Sequence, residues 1–422
     1  DARGVVYLME KQEKRKKKIL IVSHFMHPGG VERSLLGLLY GMDHSRYDVS
    51  LFLFRHEGEL LSQIPKEVTL LPELKAYAQL ARPVTEVLCQ GHFLLAVARV
   101  RGKLVARHYQ KKHGGDCSQV KLHESHRYTR KWMPLISSET EYDLAISFLT
   151  PHYFVSDKVR AKQKVAWVHT DYSAVQIEDA EEAMWDAYDR IAAVSPECEK
   201  AFAQRFPRLQ KKTECVENLL PVELIYKQAA DTSEYMDFLN QNLSEQSEKT
   251  WVLLSIGRFC KAKNFESIPE LCRRIQEQGI QIIWYLIGYG SDEMLIRQKI
   301  REQHVEKSVI LLGKKANPYP YLAACDWYVQ PSRYEGKSVA VLEAQALHKP
   351  VIITEYPTAE SQLVNGYDGV IVPLETKACS QAMAEILQDD RLREMLIVNT
   401  RKQSYAGMEE IKKIYQWMDT DR

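Results

Sequence analysis

Two Rossmann-like α/β domains in tandem, facing each other across a cleft, are the architecture this sequence predicts. Three observations carry it. Short runs rich in Val, Ile and Leu alternate with helix-period segments along almost the whole chain, the pattern of parallel sheets covered by helices on both faces. The series halts in a polar stretch at 222–249 and restarts with a fresh strand at Trp251. A length of 422 residues suffices for two sizeable cores.

The elements follow in order. Lys18–Ser23 is a buried-type strand. After the turn His27-Pro28-Gly29-Gly30 a helix runs from Val31 to Met42, with Leu35, Leu36, Leu38 and Leu39 as its apolar stripe. Tyr47–Phe54 and Val68–Leu71 are the next strands. Residues 82–140 interrupt the alternation with long helices and a turn at Gly114-Gly115. Strands resume at Tyr142–Phe148, Lys164–His169 and Arg190–Ser195, and Ser195-Pro196 has the form of an N-cap and first helical residue. The second half offers strands at Trp251–Gly257, Gln281–Ile287, Val309–Leu312, Trp327–Gln330, Val351–Thr354 and Gly369–Val372. The expected units are a basic lead-in or tag (1–17), an N-terminal Rossmann-like domain (18–221) with the helical basic insertion, a linker (222–249), a C-terminal Rossmann-like domain (250–388) and C-terminal helices (389–422). The start at Asp1 instead of Met reads as a trimmed or tagged beginning, with no signal peptide expected.

Composition narrows the function. Fifty-seven basic and 56 acidic residues leave a net charge of +1, so no global field draws the chain to nucleic acid. The 8 cysteines include no CxxC pair, which excludes a zinc module and suits a reducing cytoplasm. The longest apolar run, around Phe93–Ala98, falls far short of the roughly 18 residues a membrane span needs.

Several residues at strand ends can carry chemistry, because ligands of such sheets sit beyond the carboxyl ends of the strands. Arg258 and Lys263 follow the first strand of the second half, where two cations can hold a diphosphate. Pro331–Ser338 is a strand-to-helix turn. The helix it opens, Val339–His348, presents unpaired N–H groups and a positive dipole end. Gly336 allows close backbone approach, while Glu335 and Glu343 can accept hydrogen bonds from vicinal hydroxyls. Gly29-Gly30 suits an anion or a sugar near backbone, equally a tight turn, and lacks the third glycine of a dinucleotide fingerprint. His169 ends a strand over the cleft; Gly288-Tyr289-Gly290 and Gly313 can border a planar base or simply turn the chain.

In this order these residues resemble glycosyltransferase family 4, the retaining nucleotide-sugar-dependent enzymes of the GT-B fold, from about Lys18 to Thr376. The likeness runs through Gly257-Arg258, Lys263, Gly288-Tyr-Gly290, Leu312-Gly313, Pro331-Ser332, Glu335, Glu343, Pro350-Val351, Glu360 and Asp368-Gly369. Trp167–Asp171, Tyr334–Lys337 and Tyr356–Gln362 are similar to bacterial enzymes that build capsule, teichoic-acid or other surface polysaccharides. The resemblance implies that Arg258 and Lys263 neutralise the donor diphosphate without a metal or other cofactor. It gives Glu335 the transferred sugar's hydroxyls, and the amides of Gly336, Lys337, Ser338 and Val339 the sugar and phosphate. Glu343 would take the ribose, Gly30 the approach of the first domain's loop, and His169 the C6 hydroxyl. Gly29, Gly257, Gly288 and Gly313 complete the expected donor contacts. Where the family often has Glu-Gly-Phe-Gly, this chain has Glu335-Gly-Lys-Ser338; Lys337 adds a cation that suits a charged donor or acceptor, or else faces solvent.

The reaction so implied moves a hexose-type sugar from a nucleoside diphosphate, with UDP expected, to a hydroxyl of a lipid-linked or polymeric cell-surface acceptor, with retention. Arg99, Arg101, Lys103, Arg107, Lys111, Lys112, Lys121, Arg127, Arg130 and Lys131, opposed by Asp116 and Glu124, lie among Phe93, Leu94, Leu95, Leu104 and Trp132. Such a segment can rest on anionic lipid, or be a solvated helix face. The expected location is cytoplasmic, peripheral on the inner face of the cell membrane. A nucleotide-sugar epimerase of the same fold and a non-catalytic, transferase-like binding partner are the alternatives; an NAD-dependent dehydrogenase fits poorly without the third glycine.

Overall fold

The computed structural model describes residues 15–113, 118–173, 181–231 and 250–419. Two sheets frame it. The first runs β3-β2-β1-β4-β5-β6-β7, from β1 (Lys17–Ser23), β2 (Tyr47–Leu53), β3 (Thr69–Leu70), β4 (Tyr142–Ser147), β5 (Ala161–Val168), β6 (Arg190–Ala193) and β7 (Thr213–Cys215). The second runs β10-β9-β8-β11-β12-β13, from β8 (Trp251–Ile256), β9 (Ile282–Ile287), β10 (Val309–Gly313), β11 (Trp327–Gln330), β12 (Val351–Thr354) and β13 (Val370–Val372). Every described ladder is parallel. Continuous apolar runs such as Ile19–Val22 form these strands because helices bury both faces. Strand order reverses beside β1 and beside β8, and such switch points open the crevice where ligands bind.

The helices that matter for the site are α1 (Gly30–Gly41), α2 (Val84–Cys89), α3 (Phe93–His113), α4 (Ser118–Thr129), α5 (Pro196–Arg205), α6 (Val222–Ala229), α7 (Tyr319–Ala324), α8 (Val339–Ala346), α9 (Asp390–Thr400) and α10 (Ile411–Asp419). Ser195 caps α5 as its sequence predicts: the hydroxyl accepts the Cys198 N–H at 3.1 Å, with Pro196 in the first turn. Helices α3 and α4 lie against each other, close enough that a Cβ on Gly102 would come within 2.8 Å of the Glu124 carbonyl oxygen.

Two expected boundaries change. Residues 222–229 are not linker but α6, a helix of the second half: Ile225 is fully buried in that half's core, and the Tyr226 hydroxyl donates to the Ala346 carbonyl at 2.9 Å. The rest of that stretch, 232–249, lies outside the described residues, as do 1–14 and the expected Gly114-Gly115 turn. The final helices do not stay together. Leu396 of α9 joins the second core, whereas Ile411, Ile414 and Trp417 of α10 pack into the first. Trp417 of α10 meets Trp167 of β5 edge-on at 6.4 Å between ring centroids, and Trp417 Nε1 donates to Glu214 Oε2 at 2.9 Å. The chain therefore passes between the halves twice, around 216–221 and around 401–410, and the Leu220 N–H meets the Ala406 carbonyl at 3.0 Å. Helix α1 packs on the first passage so closely that any Cβ on Gly37 would overlap the Leu219 carbonyl.

Candidate active site

The carboxyl ends of the two sheets face each other and touch. A Cβ on Gly336, in the turn after β11, would overlap the carbonyl oxygen of His169, which follows β5. Ser195 Oγ donates to the Gly336 carbonyl at 3.2 Å. Glycine at 336 is thus required by the approach of the opposite half.

On the second half, the loop after β8 carries Gly257, Arg258 and Lys263. The stem of Lys263 lies over Gly257, and its ammonium bonds Glu335 Oε1 at 2.6 Å. The same oxygen accepts from Ser332 Oγ at 2.5 Å and Gln330 Nε2 at 3.4 Å. Three donors on one oxygen fix the carboxylate and leave its other oxygen free of these bonds. Arg258 is exposed at the rim. The glycines after β9 are needed where they stand: a Cβ on Gly288 would overlap the Gly257 carbonyl, and one on Gly290 the Phe259 carbonyl. Gly313 turns at φ +70, and its carbonyl accepts the Gly288 N–H at 2.9 Å.

Glu343 lies deeper on α8 and is 1% exposed. Its Oε1 accepts the Tyr319 hydroxyl at 2.7 Å, and Arg33 Nη1 stands 3.7 Å away. Its Oε2 is buried with no partner. Burial raises its pKa, against the Arg33 charge and the Tyr319 hydrogen bond, which lower it. Arg33 comes from α1 of the opposite half. It donates to the Tyr319 hydroxyl at 2.5 Å and to the Ala316 carbonyl at 3.2 Å, with its guanidinium 4.9 Å from the Tyr319 ring centroid. One arginine thus ties the first half to the base of the second half's helix.

The turn at Gly29-Gly30 begins α1. A Cβ on Gly30 would meet nothing within 4 Å, so open space adjoins this backbone, whereas one on Gly29 would overlap Glu32 Oε2. Glu32 itself is buried. Burial pushes its pKa up to about 7, against the opposing pull of its own backbone N–H and the charges of Arg258 and Arg33. His169 stacks edge-on against Phe148 at 4.6 Å, and its Nε2 is buried without a partner. Burial pushes its pKa down to about 3, so the ring is neutral at physiological pH.

The Lys337 side chain and the Ser338 amide depart from expectation. The Lys337 side chain is only 5% exposed and neither faces solvent nor reaches toward the sugar side. Its ammonium bonds Glu217 Oε1 at 2.8 Å and the Ser361 carbonyl at 2.7 Å, at the first passage between the halves. A buried ammonium needs a counter-charge, and Glu217 supplies it. The Ser338 N–H is taken by Gln362 Oε1 at 2.6 Å, so at the start of α8 the amide of buried Val339 is the expected donor this bond leaves. Sequence reasoning missed Glu32, Arg33, Tyr319 and Gln330, and gave Ser332 no role. For the first two a signal existed: charged residues beside Gly29-Gly30, on the first turn of a helix otherwise made to be buried. Tyr319 gave none, since its partner is distant in sequence.

Residues 239–403 match the family model described as Glycosyl transferases group 1. Among curated proteins, the chain is 28% identical over 192 residues to the Campylobacter jejuni N-acetylgalactosamine-N,N'-diacetylbacillosaminyl-diphospho-undecaprenol 4-alpha-N-acetylgalactosaminyltransferase, covering 45% of this chain and 48% of that one. It is 27% identical over 188 residues to the Staphylococcus aureus capsular polysaccharide biosynthesis glycosyltransferase CapM, covering 42% and 50%. The chain thus spans about half the length of these curated relatives. Among solved structures, HepE of Anabaena in complex with UDP and glucose superposes with a TM-score of 0.66 at 17% identity, over 96% of this chain and 100% of that one. Residues 239–403 are thus similar to glycosyl transferases group 1 domains, and the two halves together have the GT-B fold.

Proposed function

We propose that the protein is a retaining glycosyltransferase that moves a hexose-type sugar from a nucleoside diphosphate, UDP by preference, to a hydroxyl of a lipid-linked or polymeric surface glycan. The observation that carries this reading is the Lys263–Glu335 pair at the carboxyl end of the second sheet, with exposed Arg258 on the same loop and the open backbone of Gly30 on the opposite half. Fixed positive charge there meets a diphosphate, and a carboxylate held by three donors keeps one oxygen for sugar hydroxyls.

The steps follow from this geometry. The sugar C1–O bond breaks, and its electron pair goes to the diphosphate. Arg258, Lys263 and the amino end of α8 stabilise that charge without a metal or other cofactor. The acceptor hydroxyl attacks C1 from the face the diphosphate leaves, and its proton passes to the departing phosphate oxygen. Lys263, already bonded to Glu335, is shared between carboxylate and phosphate as the charge grows. Neutral His169 offers a polar contact to the sugar from across the cleft. Contact between the halves excludes water and so limits hydrolysis.

The acceptor class draws support from two sides. A relative's name specifies a diphospho-undecaprenol-linked glycan. On the first half, α3 and α4 expose Phe93, Leu94, Val97, Val100, Leu104 and Leu122 among Arg101, Lys103, Arg107, Lys111, Lys112 and Lys121, a face complementary to an anionic membrane. The expected opposing Glu124 is fully buried beside Arg127 and His123, which leaves that face more cationic; Arg99 does not belong to it, being only 7% exposed. No described helix is long and apolar enough to cross a membrane.

A panel of nucleotide sugars scored by thermal stabilisation tests the reading. A ligand at about a hundred times its Kd adds about 2.7 kcal/mol, and the best stabiliser, incubated with glycan-lipid acceptors, should release free nucleoside diphosphate. A new nucleotide sugar formed without acceptor would instead favour an epimerase. Stabilisation by none of the panel would sink the proposal.

A further inference from the structure

At its outer edge, away from the donor residues, the carboxyl side of the first sheet holds a cavity of 480 Å³. The chain leaving β3 forms it, through the helical turn Lys75–Ala78, the turn Gln79–Ala81 and α2. Lys75, Arg82, His92, Gln79, Gln90 and Glu73 line it. Glu73 is the one lining carboxylate, and its Oε2 already accepts the His56 N–H at 2.8 Å. Two permanent cations and an imidazole therefore face the cavity, against the Glu73 carboxylate and that of exposed Glu86, which stands 4.0 Å from Arg82 Nη1.

What lies behind the wall points the same way. Arg99 of α3 donates through Nη1 to the carbonyls of Gln79 and Arg82, at 2.8 and 2.5 Å. It is buried, its Nε has no partner, and no carboxylate among the described residues pairs with it. A buried guanidinium without a counter-ion is costly, and an anion nearby offsets the cost. Gln79, 3% exposed, spends its amide N–H on Gln90 Oε1 at 2.6 Å and leaves Oε1 without a partner, free to take a hydroxyl. The cavity also meets an apolar ridge. His92 is followed directly by Phe93 and Leu94, 65% and 53% exposed, with Val97 and Leu88 beside them at 52% and 44%. An anion site that continues into exposed apolar side chains fits a phosphate ester joined to a long hydrocarbon.

We propose that this cavity binds the phosphate of the lipid phosphate or diphosphate that carries the acceptor glycan, with the hydrocarbon along Leu88, Phe93, Leu94 and Val97. The inference rests on the lipid-linked acceptor named above. It sharpens that acceptor from a membrane surface to one headgroup, and it places the lipid phosphate on the same side of the sheet as the cleft, so that the attached glycan can extend toward C1 of the donor.

The test is co-flotation with phosphatidylcholine vesicles. One set carries a few mole per cent of a polyprenyl diphosphate, a second the same charge as phosphatidylglycerol, and a third neither. The protein should prefer the first set. The double variant K75Q/R82Q should lose that preference by about tenfold, the scale of charge-assisted contacts, while its binding to phosphatidylglycerol changes by less than about twofold, as expected if α3 and α4 supply the general attraction. Inorganic pyrophosphate should compete only against the first set. Lys75 is exposed and Arg82 half-buried, and an unchanged melting temperature with an unchanged shift on adding UDP would show that the variant is folded.

Unaltered flotation of the variant with polyprenyl diphosphate would overturn the proposal. So would an equal loss on phosphatidylglycerol, because the cations would then belong to the general surface. Pyrophosphate binding without any lipid preference would mark a site for free phosphate and overturn the lipid assignment. Flotation needs no turnover, so a retained lipid preference in a protein that transfers no sugar would count against the transferase reading alone.

Discussion

The two halves share a fold and differ in how their charges are satisfied. Around the second sheet's carboxyl end, charged side chains find partners within the protein: Lys263 with Glu335, Arg333 with Glu266, Glu343 with Tyr319 and Arg33, Lys337 with Glu217. Around the first, cationic and imidazole groups stand without an ionic partner: Arg99 pairs with no carboxylate among the described residues, and burial lowers the pKa of His24, His126 and His169, which keeps those rings neutral. Buried polar atoms without a partner occur in both halves, Gln79 Oε1 and Arg99 Nε in the first, Ser338 Oγ and Glu343 Oε2 in the second. The contrast therefore lies in ion pairing and not in leftover hydrogen bonds.

The sharpest way to break this contrast is at Lys263. Substitution by Ala, or of Arg258 by Ala, should slow transfer by about two to four powers of ten, the scale of losing a strong stabiliser of developing charge. Because Lys263 and Glu335 share a bond, the two should act as a unit. K263A/E335Q should then be scarcely slower than K263A alone, since residues that act together give non-additive losses. Steady-state kinetics of the four proteins close the cycle; near-normal turnover in K263A and R258A would remove the proposed role of the basic loop.

A second, smaller effect concerns Glu32, where the pairing is incomplete although the residue is buried. Its pKa near 7 is raised above the unfolded value of 4.5, chiefly by burial. The folded state therefore holds its proton more tightly than the unfolded one, and stability drains away as pH rises from about 4.5 to about 7. Glu32→Gln removes that loss. It should stabilise the protein by about 3 kcal/mol above pH 7 and by little below about pH 4.5, at 1.36 kcal/mol for each pK unit. Thermal melts at pH 5 and pH 8 measure it, and an equal gain at both would mean that ionisation is not the cause.

The difference between the halves also explains what the sequence disclosed. The second sheet's motif is readable because its residues follow one another along single loops. Gly257 to Lys263 leave β8, Glu335 to Val339 lead into α8, and local chemistry suffices to place them. The same reasoning found the capped start of α5 and the strands of both sheets except β7, whose three residues Thr213–Cys215 are too short and too polar to stand out. It could not find contacts made between distant segments. Lys337 looked like a donor contact or a solvated cation, and only the return of the chain at 216–221 gives it Glu217. Residues 222–229 read as polar linker because the partners that bury Ile225 lie on a sheet not yet begun. The basic insertion was legible as charge, yet the helix pairing that buries Arg99 and Glu124 was not.

The smallest expected effect tests the place where Arg33 of the first half reaches Tyr319 of the second. The Tyr319 hydroxyl stands between Arg33 and Glu343, receiving a hydrogen bond from the first and donating one to the second. Tyr319→Phe removes both bonds while the ring keeps its packing, and Arg33 remains 3.7 Å from the carboxylate. The Glu343 charge thus stays compensated and the fold should hold, unlike Arg33→Ala, which would strand a buried carboxylate. What changes is the aim of Glu343. With Oε1 no longer fixed by the hydroxyl, Oε2 is less well placed for a ribose. One hydrogen bond to a charged group is worth about 1.5–3 kcal/mol, so the donor KM should rise by about tenfold to a hundredfold. Because the contact is to the nucleoside, equal in ground and transition states, kcat should move by less than about threefold. A purely structural residue would lower the melting temperature and the amount of active protein without that split. A fall in kcat at unchanged KM would place Tyr319 in the chemistry instead, and would mean that the two halves are coupled during bond breaking and not only when the donor binds.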